Sequence, residues 1–106
     1  MSNVVVVADV LDGAVPKPTL ELLTIARRLG EPVAVVFGSA ADAAAKLGEY
    51  GAAKIIEVTD PAVTEYLVAP KAEVLHQIVQ AEDPAAVLVP SSAEGKEIAG
   101  RLAVKL

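Results

Sequence analysis

The stretch that decides the fold is NVVVVA, Asn3–Ala8, in which four valines follow one another without a polar residue between them. A strand with one solvated face alternates apolar and polar side chains, whereas a strand covered on both faces is a continuous apolar run rich in β-branched residues. Strands of the second kind are typical of parallel sheets. This stretch therefore predicts a buried strand of a parallel sheet, and such a sheet needs helices on both of its faces.

Three further stretches have the same apolar character. We predict strands at PVAVVFG (Pro32–Gly38), KIIEV (Lys54–Val58) and AAVLVP (Ala85–Pro90). Helical patterns lie between and after the four strands, at Thr19–Leu29, Ala40–Leu47, Pro61–Val68, Lys71–Glu82 and Ala93–Lys105. Strands that alternate with helices form parallel βαβ units with right-handed crossovers. The predicted fold class is α/β, a Rossmann-like three-layer α/β/α sandwich with a mainly parallel sheet of about four strands.

The first helix has a clear apolar stripe. Leu22, Ile25, Ala26 and Leu29 fall on one side of it, which predicts the face that covers the sheet. Gly30 follows the stripe directly and is expected to be the C-cap. The two arginines before Leu29 stand outside the stripe, and we interpret them as an exposed helix end that favours the macrodipole.

Serine and proline mark the other helix boundaries. Ser39, with Asp42 three residues later, is predicted to cap the alanine-rich second helix. Pro61 suits the first position of a helix, and Pro70 is expected to separate the third helix from the fourth. The 106 residues form one domain, residues 1–106. The last predicted element is a helix with no strand after it, so we expect this domain to be either a fragment of a longer protein or a short chain that is completed by another chain.

Composition excludes several classes of protein. Hydrophobic residues make up 54% of the chain, which excludes disorder. No apolar run approaches the roughly 20 residues of a membrane helix. No positively charged region precedes the valine run and no small-residue cleavage site follows it, which argues against a signal peptide. We therefore expect a cytoplasmic protein without membrane insertion.

Charge and the rarer residue types exclude most kinds of binding site. Nine basic against fourteen acidic residues give a net charge of -5, which argues against nucleic acid as a partner. The chain has no cysteine, so it has no thiol nucleophile and no cysteine-ligated zinc. A single histidine, His76, excludes a site that needs two imidazoles, and its helical face shared with Glu73 and Gln80 predicts a surface position. Three aromatic residues are too few for a platform that stacks bases.

One turn resembles a phosphate-binding site. In VLVPSSAEGKEIAG, Val87–Gly100, a strand breaks into two serines and a helix, and the amino end of a helix can hold a phosphate. Ligands of open parallel sheets bind beyond the carboxyl ends of the strands. The candidate nucleotide-binding residues at these ends are Asp9, Gly38, Ser91, Ser92 and Gly95.

A structural explanation of the same turn is the stronger one. Ser91 and Glu94 form a capping box, which already uses the free amides of the helix. The turn lacks the first glycine of a P-loop, Glu97 follows Lys96 where a P-loop has serine or threonine, and no GxGxxG motif occurs. Our leading interpretation is that the serines cap a helix and that no cofactor is bound.

Other polar residues also have ordinary structural explanations. Asp9 and Asp12 follow the first strand and could in principle bind a metal or a ribose, but Asp12 precedes a glycine in a typical turn. Glu97 and Arg101 form an exposed i,i+4 pair. Since no nucleophile, base and oxyanion site come together, we expect no catalytic residue, no metal site and no enzymatic activity.

Three segments resemble one known family. PKPTLELLTIARRLG (residues 16–30), AAAKLGEYGAAKIIEV (residues 43–58) and AVLVPSSAEGKEIAGRLAVKL (residues 86–106) are similar, in this order, to segments of the amino-terminal domain of electron transfer flavoprotein α subunits. The resemblance covers essentially the whole chain. Each motif is weak alone, but three in the right order are fairly specific.

The resemblance implies a non-catalytic scaffold. Proteins of this family are heterodimers that carry electrons from acyl-CoA and other dehydrogenases to the respiratory chain. Their FAD is held mainly by the carboxyl-terminal domain of the α subunit, whose motifs would lie beyond Leu106, and AMP lies in the β subunit. The present domain would bind no cofactor, pack against the β subunit and support the flavin domain.

Two alternatives remain open from the sequence. A small adenine-nucleotide-binding protein like the universal stress proteins shares the α/β architecture, although the turn after the fourth strand lacks that family's spaced glycines. The other alternative is a fragment of an enzyme. If the chain occurs alone, the apolar fourth strand is expected to pair with a second copy and form a homodimer.

Overall fold

The structure is a computed structural model. It describes residues 3–8, 10, 14–38, 40–59, 68–90 and 95–100. In chain order the elements are β1 (Asn3–Val7), α1 (Lys17–Leu29), β2 (Glu31–Phe37), α2 (Ala44–Glu49), β3 (Lys54–Val58), α3 (Val68–Glu82), β4 (Ala86–Leu88) and α4 (helical residues 95–100). None of the helices in these ranges is long and apolar enough to cross a membrane.

The four strands form one parallel sheet in the order β3-β2-β1-β4. Val5 in the middle of β1 lies opposite Val33 of β2 on one side and Val87 of β4 on the other. The stretch of four valines is therefore an inner strand. This arrangement confirms the predicted α/β class and its parallel sheet.

Both faces of the sheet are buried, as the continuous valine run predicts. Alternate side chains of β1 enter two separate apolar clusters, one covered by α1 and α2 and the other by α3 and α4. The three layers of the sandwich follow from this division. The side chains that define the clusters are Val4, Val6, Leu23 and Leu47 on the first face, and Val5, Val7, Leu75 and Ile98 on the second.

Helix α1 is present, and its predicted inner face is confirmed for Ala26, which is buried, and for Leu22, which is partly buried against the same cluster, but it was wrong for Ile25 and Leu29. The residues that turn inward are Thr19, Leu23 and Ala26, whereas Ile25 and Leu29 are 48% and 54% exposed. The sequence was ambiguous because aliphatic residues occur all around this helix, and the sheet contacts only one side of it. The expected end is confirmed, since the Gly30 amide donates to the Ala26 carbonyl at 3.0 Å.

Two other helix starts differ from the prediction. Helix α2 begins at Ala44 after a turn in which the Ala43 amide donates to the Ala40 carbonyl, and its N-cap, Ala43, makes no side-chain cap. Ser39 lies outside the described residues. Helix α3 begins at Val68, so Pro70 lies in its first turn and does not separate two helices. A proline is tolerated there because amides of the first turn have no partner within the helix.

A charged contact joins elements that are not neighbours in the sheet. Glu82, the last residue of α3, accepts a hydrogen bond from Asn3 Nδ2 at 3.3 Å and pairs with Lys54 Nζ at 2.8 Å. Asn3 begins β1 and Lys54 begins β3, and β2 lies between these strands. Glu82 therefore fixes the end of α3 across the amino edge of the sheet.

Candidate functional site at the carboxyl edge of the sheet

The strand order places a candidate ligand crevice between β1 and β4. The chain moves outward from β1 through β2 to β3, and then returns to the other side of β1 as β4. Ligands of open parallel sheets bind beyond the carboxyl ends of the strands at such a reversal. Of the residues predicted for a nucleotide, Asp9, Ser91 and Ser92 lie outside the described residues. Gly38 and Gly95 lie within the described residues.

Gly95 is in close contact with the end of β4. A Cβ atom at this position would overlap the carbonyl oxygen of Pro90 and would lie 3.1 Å from the Pro90 Cγ. Gly95 itself is buried. Because Gly95 has no side chain, α4 can pack directly against the end of β4.

Gly38 directs the chain away from β2. Its φ of 130° lies in the region that favours glycine, and its amide donates to the Val58 carbonyl at 2.7 Å. That hydrogen bond extends the pairing of β2 with β3 by one residue. The amide of Gly38 is therefore committed to the sheet, although the space beside its Cα is open.

The next described amide along this loop is occupied by a carboxylate. Ala40 N–H donates to Oε2 of Glu57, which lies on β3, at 2.9 Å. A phosphate bound to this amide would have to displace the carboxylate, and the two negative charges would repel each other. The Glu57 carboxylate therefore already occupies the position at this amide that a phosphate would take.

An aromatic ring and a lysine meet at the same edge. Lys71 in the first turn of α3 places its Nζ 5.6 Å from the centroid of the Phe37 ring, at the end of β2. This distance is in the range of a cation–π contact. Lys71 thereby links α3 to the strand end.

The part of the chain that the structure describes contains no group of three His, Asp or Glu side chains that could hold a metal ion. Glu73 and Gln80, which share the helical face of His76, are exposed as expected, but His76 itself is half-buried on α3. Arg27 and Arg28 are exposed in the last turn of α1, as predicted. Asp12, Glu94 and Arg101 lie outside the described residues.

The structure also has a surface feature that the sequence analysis missed. An open groove of about 500 Å³ runs along the outer side of α1, and we call it the α1 groove. Its apolar lining consists of Leu20, Ile25 and Tyr50, and its charged lining of Lys17, Glu21 and Arg28, with Thr24 between them. The signal in the sequence was the excess of aliphatic residues in α1, which was attributed to the core.

Comparison with known proteins gives a consistent result. The electron transfer flavoprotein subunit alpha of Mycobacterium tuberculosis is 43% identical over 109 aligned residues, covering 100% of this chain and 34% of the relative. The subunit alpha of Bacillus subtilis is 28% identical, covering 98% of this chain and 33% of the relative. A subunit of Acetobacterium woodii named lactate dehydrogenase (NAD(+),ferredoxin) subunit LctC is 29% identical, covering 97% of this chain and 26% of the relative.

These relatives are much longer than the chain, which spans about a third of the length of the subunits it matches. The family model described as the electron transfer flavoprotein domain matches residues 4–106. That range includes all four strands of the sheet apart from Asn3. The chain therefore belongs to the electron transfer flavoprotein domain family.

Proposed function

We propose that this chain is the amino-terminal α/β domain of an electron transfer flavoprotein α subunit and serves as a non-catalytic scaffold. The observation that carries the proposal is the family match over residues 4–106 together with 43% identity to an α subunit. In this proposal the domain packs against a β subunit and supports a flavin domain in the cytoplasm. FAD is bound by that flavin domain and not by residues 1–106.

The carboxyl edge of the sheet supports a scaffold more than a nucleotide site. The Ala40 amide is held by the Glu57 carboxylate, and Gly95 packs against Pro90. Phosphate sites at strand ends need free amides and space for the ligand. Both features favour structural use of this edge over the alternative of an adenine-nucleotide-binding protein.

The similarity to the Acetobacterium subunit bears on the electron donor. That relative is named a lactate dehydrogenase subunit, while the others are named electron transfer flavoprotein subunits. We propose that the complex takes electrons from acyl-CoA dehydrogenases and from other dehydrogenases and passes them to the respiratory chain. The domain described here contributes support to this transfer and no chemical step.

Co-expression with the β subunit encoded in the same genome tests the proposal. We expect the chain to elute with the β subunit at equal stoichiometry in size-exclusion chromatography, because the scaffold buries a subunit interface. The chain purified alone is expected to be colourless. Stoichiometric flavin absorbance of the isolated chain, or failure of the two chains to elute together, contradicts the proposal.

A further inference from the structure

The two helical layers of the sandwich come from separate parts of the chain. Helices α1 and α2, which cover the first apolar cluster, both precede the end of β3 at Val58, and helices α3 and α4, which cover the second cluster, both follow it. Units of a protein that open locally are often contiguous stretches of this kind. We call β1, β2 and β3 with α1 and α2 the amino-terminal unit, and α3, β4 and α4 the carboxyl-terminal unit.

Within the sheet, the two units meet along β1. This strand pairs with β4 over the three residues Ala86–Leu88, whereas the pairs of β1 with β2 and of β2 with β3 lie inside the amino-terminal unit. The three residues of β4 are half-buried, while five of the seven residues of β2 are buried. Separation of the two units therefore breaks the pairing at one edge and leaves the pairing among β1, β2 and β3 intact.

The turn from α3 into β4 makes these two elements move together. Three residues, 83–85, separate the end of the helix from the start of the strand. The Asp83 amide donates to the Val79 carbonyl at 2.9 Å, so the hydrogen bonding of the helix continues into the turn. Pro84 follows, and its ring restricts the backbone further. Because this connection is short and constrained, α3 can leave the sheet only together with β4.

One carboxylate ties the end of α3 to two strands of the amino-terminal unit. Oε1 of Glu82 accepts a hydrogen bond from Asn3 Nδ2 of β1 at 3.3 Å, and Oε2 pairs with Lys54 Nζ of β3 at 2.8 Å. The side chain of Glu82 is 14% exposed, so its charge is largely withdrawn from water. A charge in such a position depends on its partners more than an exposed charge does. Movement of the carboxyl-terminal unit away from the sheet breaks both contacts at once.

We propose that the carboxyl-terminal unit opens from the sheet as a whole while the amino-terminal unit stays folded, and that the contacts of Glu82 set how often it opens. This opening uncovers the side chains of the second cluster on the sheet, Val5 and Val7 among them. Local openings of this kind have free energies below that of global unfolding. Loss of a partner of Glu82 raises the population of the open state, because these contacts form only when the unit is closed.

Amide hydrogen exchange of the isotope-labelled chain tests this opening by NMR. Exchange is measured over a series of low urea concentrations, at a protein concentration where sedimentation shows a monomer. We expect the amides of α3 and β4 to share one opening free energy, which is lower than that of the amides that join β1 and β2. Lys54→Gln removes the cation that pairs with Glu82, and it is expected to raise the exchange rate of the α3 and β4 amides by about fivefold.

Further variants separate the contacts of Glu82 from a general loss of stability. Glu21→Gly is the matched control, because it places a glycine at an exposed position inside α1 and destabilises the amino-terminal unit through helix propensity. Since α1 stays folded in the open state, Glu21→Gly is expected to raise the exchange rate of the β1 and β2 amides and to leave that of the α3 and β4 amides unchanged. In the double variant Lys54→Gln/Glu82→Gln, the effects of the two substitutions are expected not to add, because either one removes the same ion pair.

Three results overturn the proposal. The first is exchange of the α3 and β4 amides with the same free energy as the β1 and β2 amides, because the domain then opens only as a whole. The second is an unchanged exchange rate of the α3 and β4 amides in Lys54→Gln. The third is an equal effect of Glu21→Gly and Lys54→Gln on these amides. None of these measurements involves a β subunit or a flavin, so this inference and the proposed function fail separately.

Discussion

At the scale of single residues, Gly95 distinguishes packing from ligand binding. Gly95→Ala is expected to lower the free energy of unfolding by about 1–3 kcal/mol, because the added methyl group overlaps the Pro90 carbonyl. Gly100→Ala lies in the same helix with nothing within 4 Å of the added atom. Gly100→Ala is expected to leave the free energy of unfolding unchanged or to raise it by roughly 0.5–1 kcal/mol. Urea denaturation of both variants measures the difference, and equal stabilities would show that α4 does not need the close approach.

Ser91 provides a second test at this scale. The capping box with Glu94 predicts that Ser91→Ala lowers stability by about 0.5–2 kcal/mol. Because Ser91 is interpreted as a cap, AMP and ATP should leave the melting temperature of both proteins unchanged. A nucleotide-dependent rise in the unchanged chain that is lost in Ser91→Ala would support the nucleotide-binding alternative. Thermal denaturation with and without nucleotide measures both effects.

At the scale of elements, the end of α3 is held in an unfavourable conformation. Asp83 has a φ of 47°, its amide donates to the Val79 carbonyl at 2.9 Å, and Pro84 follows it. Glycine is the usual residue in this left-handed position. A negatively charged side chain is also unfavourable there, because the carboxyl end of a helix carries a partial negative charge. Asp83→Gly is therefore expected to raise stability by up to about 1 kcal/mol.

The alanine variant is the control for this effect. Asp83→Ala removes the same charge but keeps a Cβ atom, and it lacks a side chain that could hydrogen-bond locally. We expect it to be less stable than the unchanged chain, and Asp83→Gly to be more stable, in the same denaturation experiment. If the two variants gain equally, charge and not backbone conformation explains the effect.

The elements themselves differ in how far the sequence determines them. The valine run of β1 and the bounds of β3 were predictable, because a parallel strand buried on both faces needs continuous apolar residues. The inner face of α1 was predictable only in part, since aliphatic residues on all sides of a helix do not show which side meets the sheet. The turn before α2 is joined to β3 by the Glu57 carboxylate, which accepts a hydrogen bond from the Ala40 amide and belongs to a strand that comes later in the sequence. Contacts of this kind are not visible in local patterns.

The candidate site shows the same limit. That ligand positions lie at strand ends follows from the fold class alone. Identifying the groups that occupy these strand ends required the sheet order and the contacts of Gly95, because a glycine in the sequence gives no indication of what it packs against. The α1 groove was missed for the related reason that exposure of Ile25 is a property of the packed protein.

At the scale of the whole molecule, the two edges of the sheet differ. The β3 edge carries Lys54 and Glu57, whereas Ala86, Val87 and Leu88 of β4 carry no charge. An uncharged apolar edge can pair with another chain, so we expect the isolated chain to form a twofold dimer through antiparallel β4 strands. Sedimentation velocity over a range of concentrations measures this association.

A matched pair of variants tests that edge. Val87→Lys is expected to shift the population toward monomer, because a charge blocks pairing of edges. Ile56→Lys places the same charge on the same face of the opposite edge strand and controls for loss of core stability. Monomer at high concentration in the unchanged chain, or an equal effect of both variants, would be contrary to the prediction.

The central position of β1 has a consequence for synthesis on the ribosome. This strand is translated before the other three strands of the sheet, and β2 can cover one of its edges early, but its other edge pairs with β4, whose residues emerge only after α3. At common translation rates, the stretch between Val58 and Ala86 takes on the order of seconds to appear. During that interval the nascent chain presents four consecutive valines with one open edge. This is the period in which a chaperone would protect the chain most, and the arrival of residues 86–88 ends it.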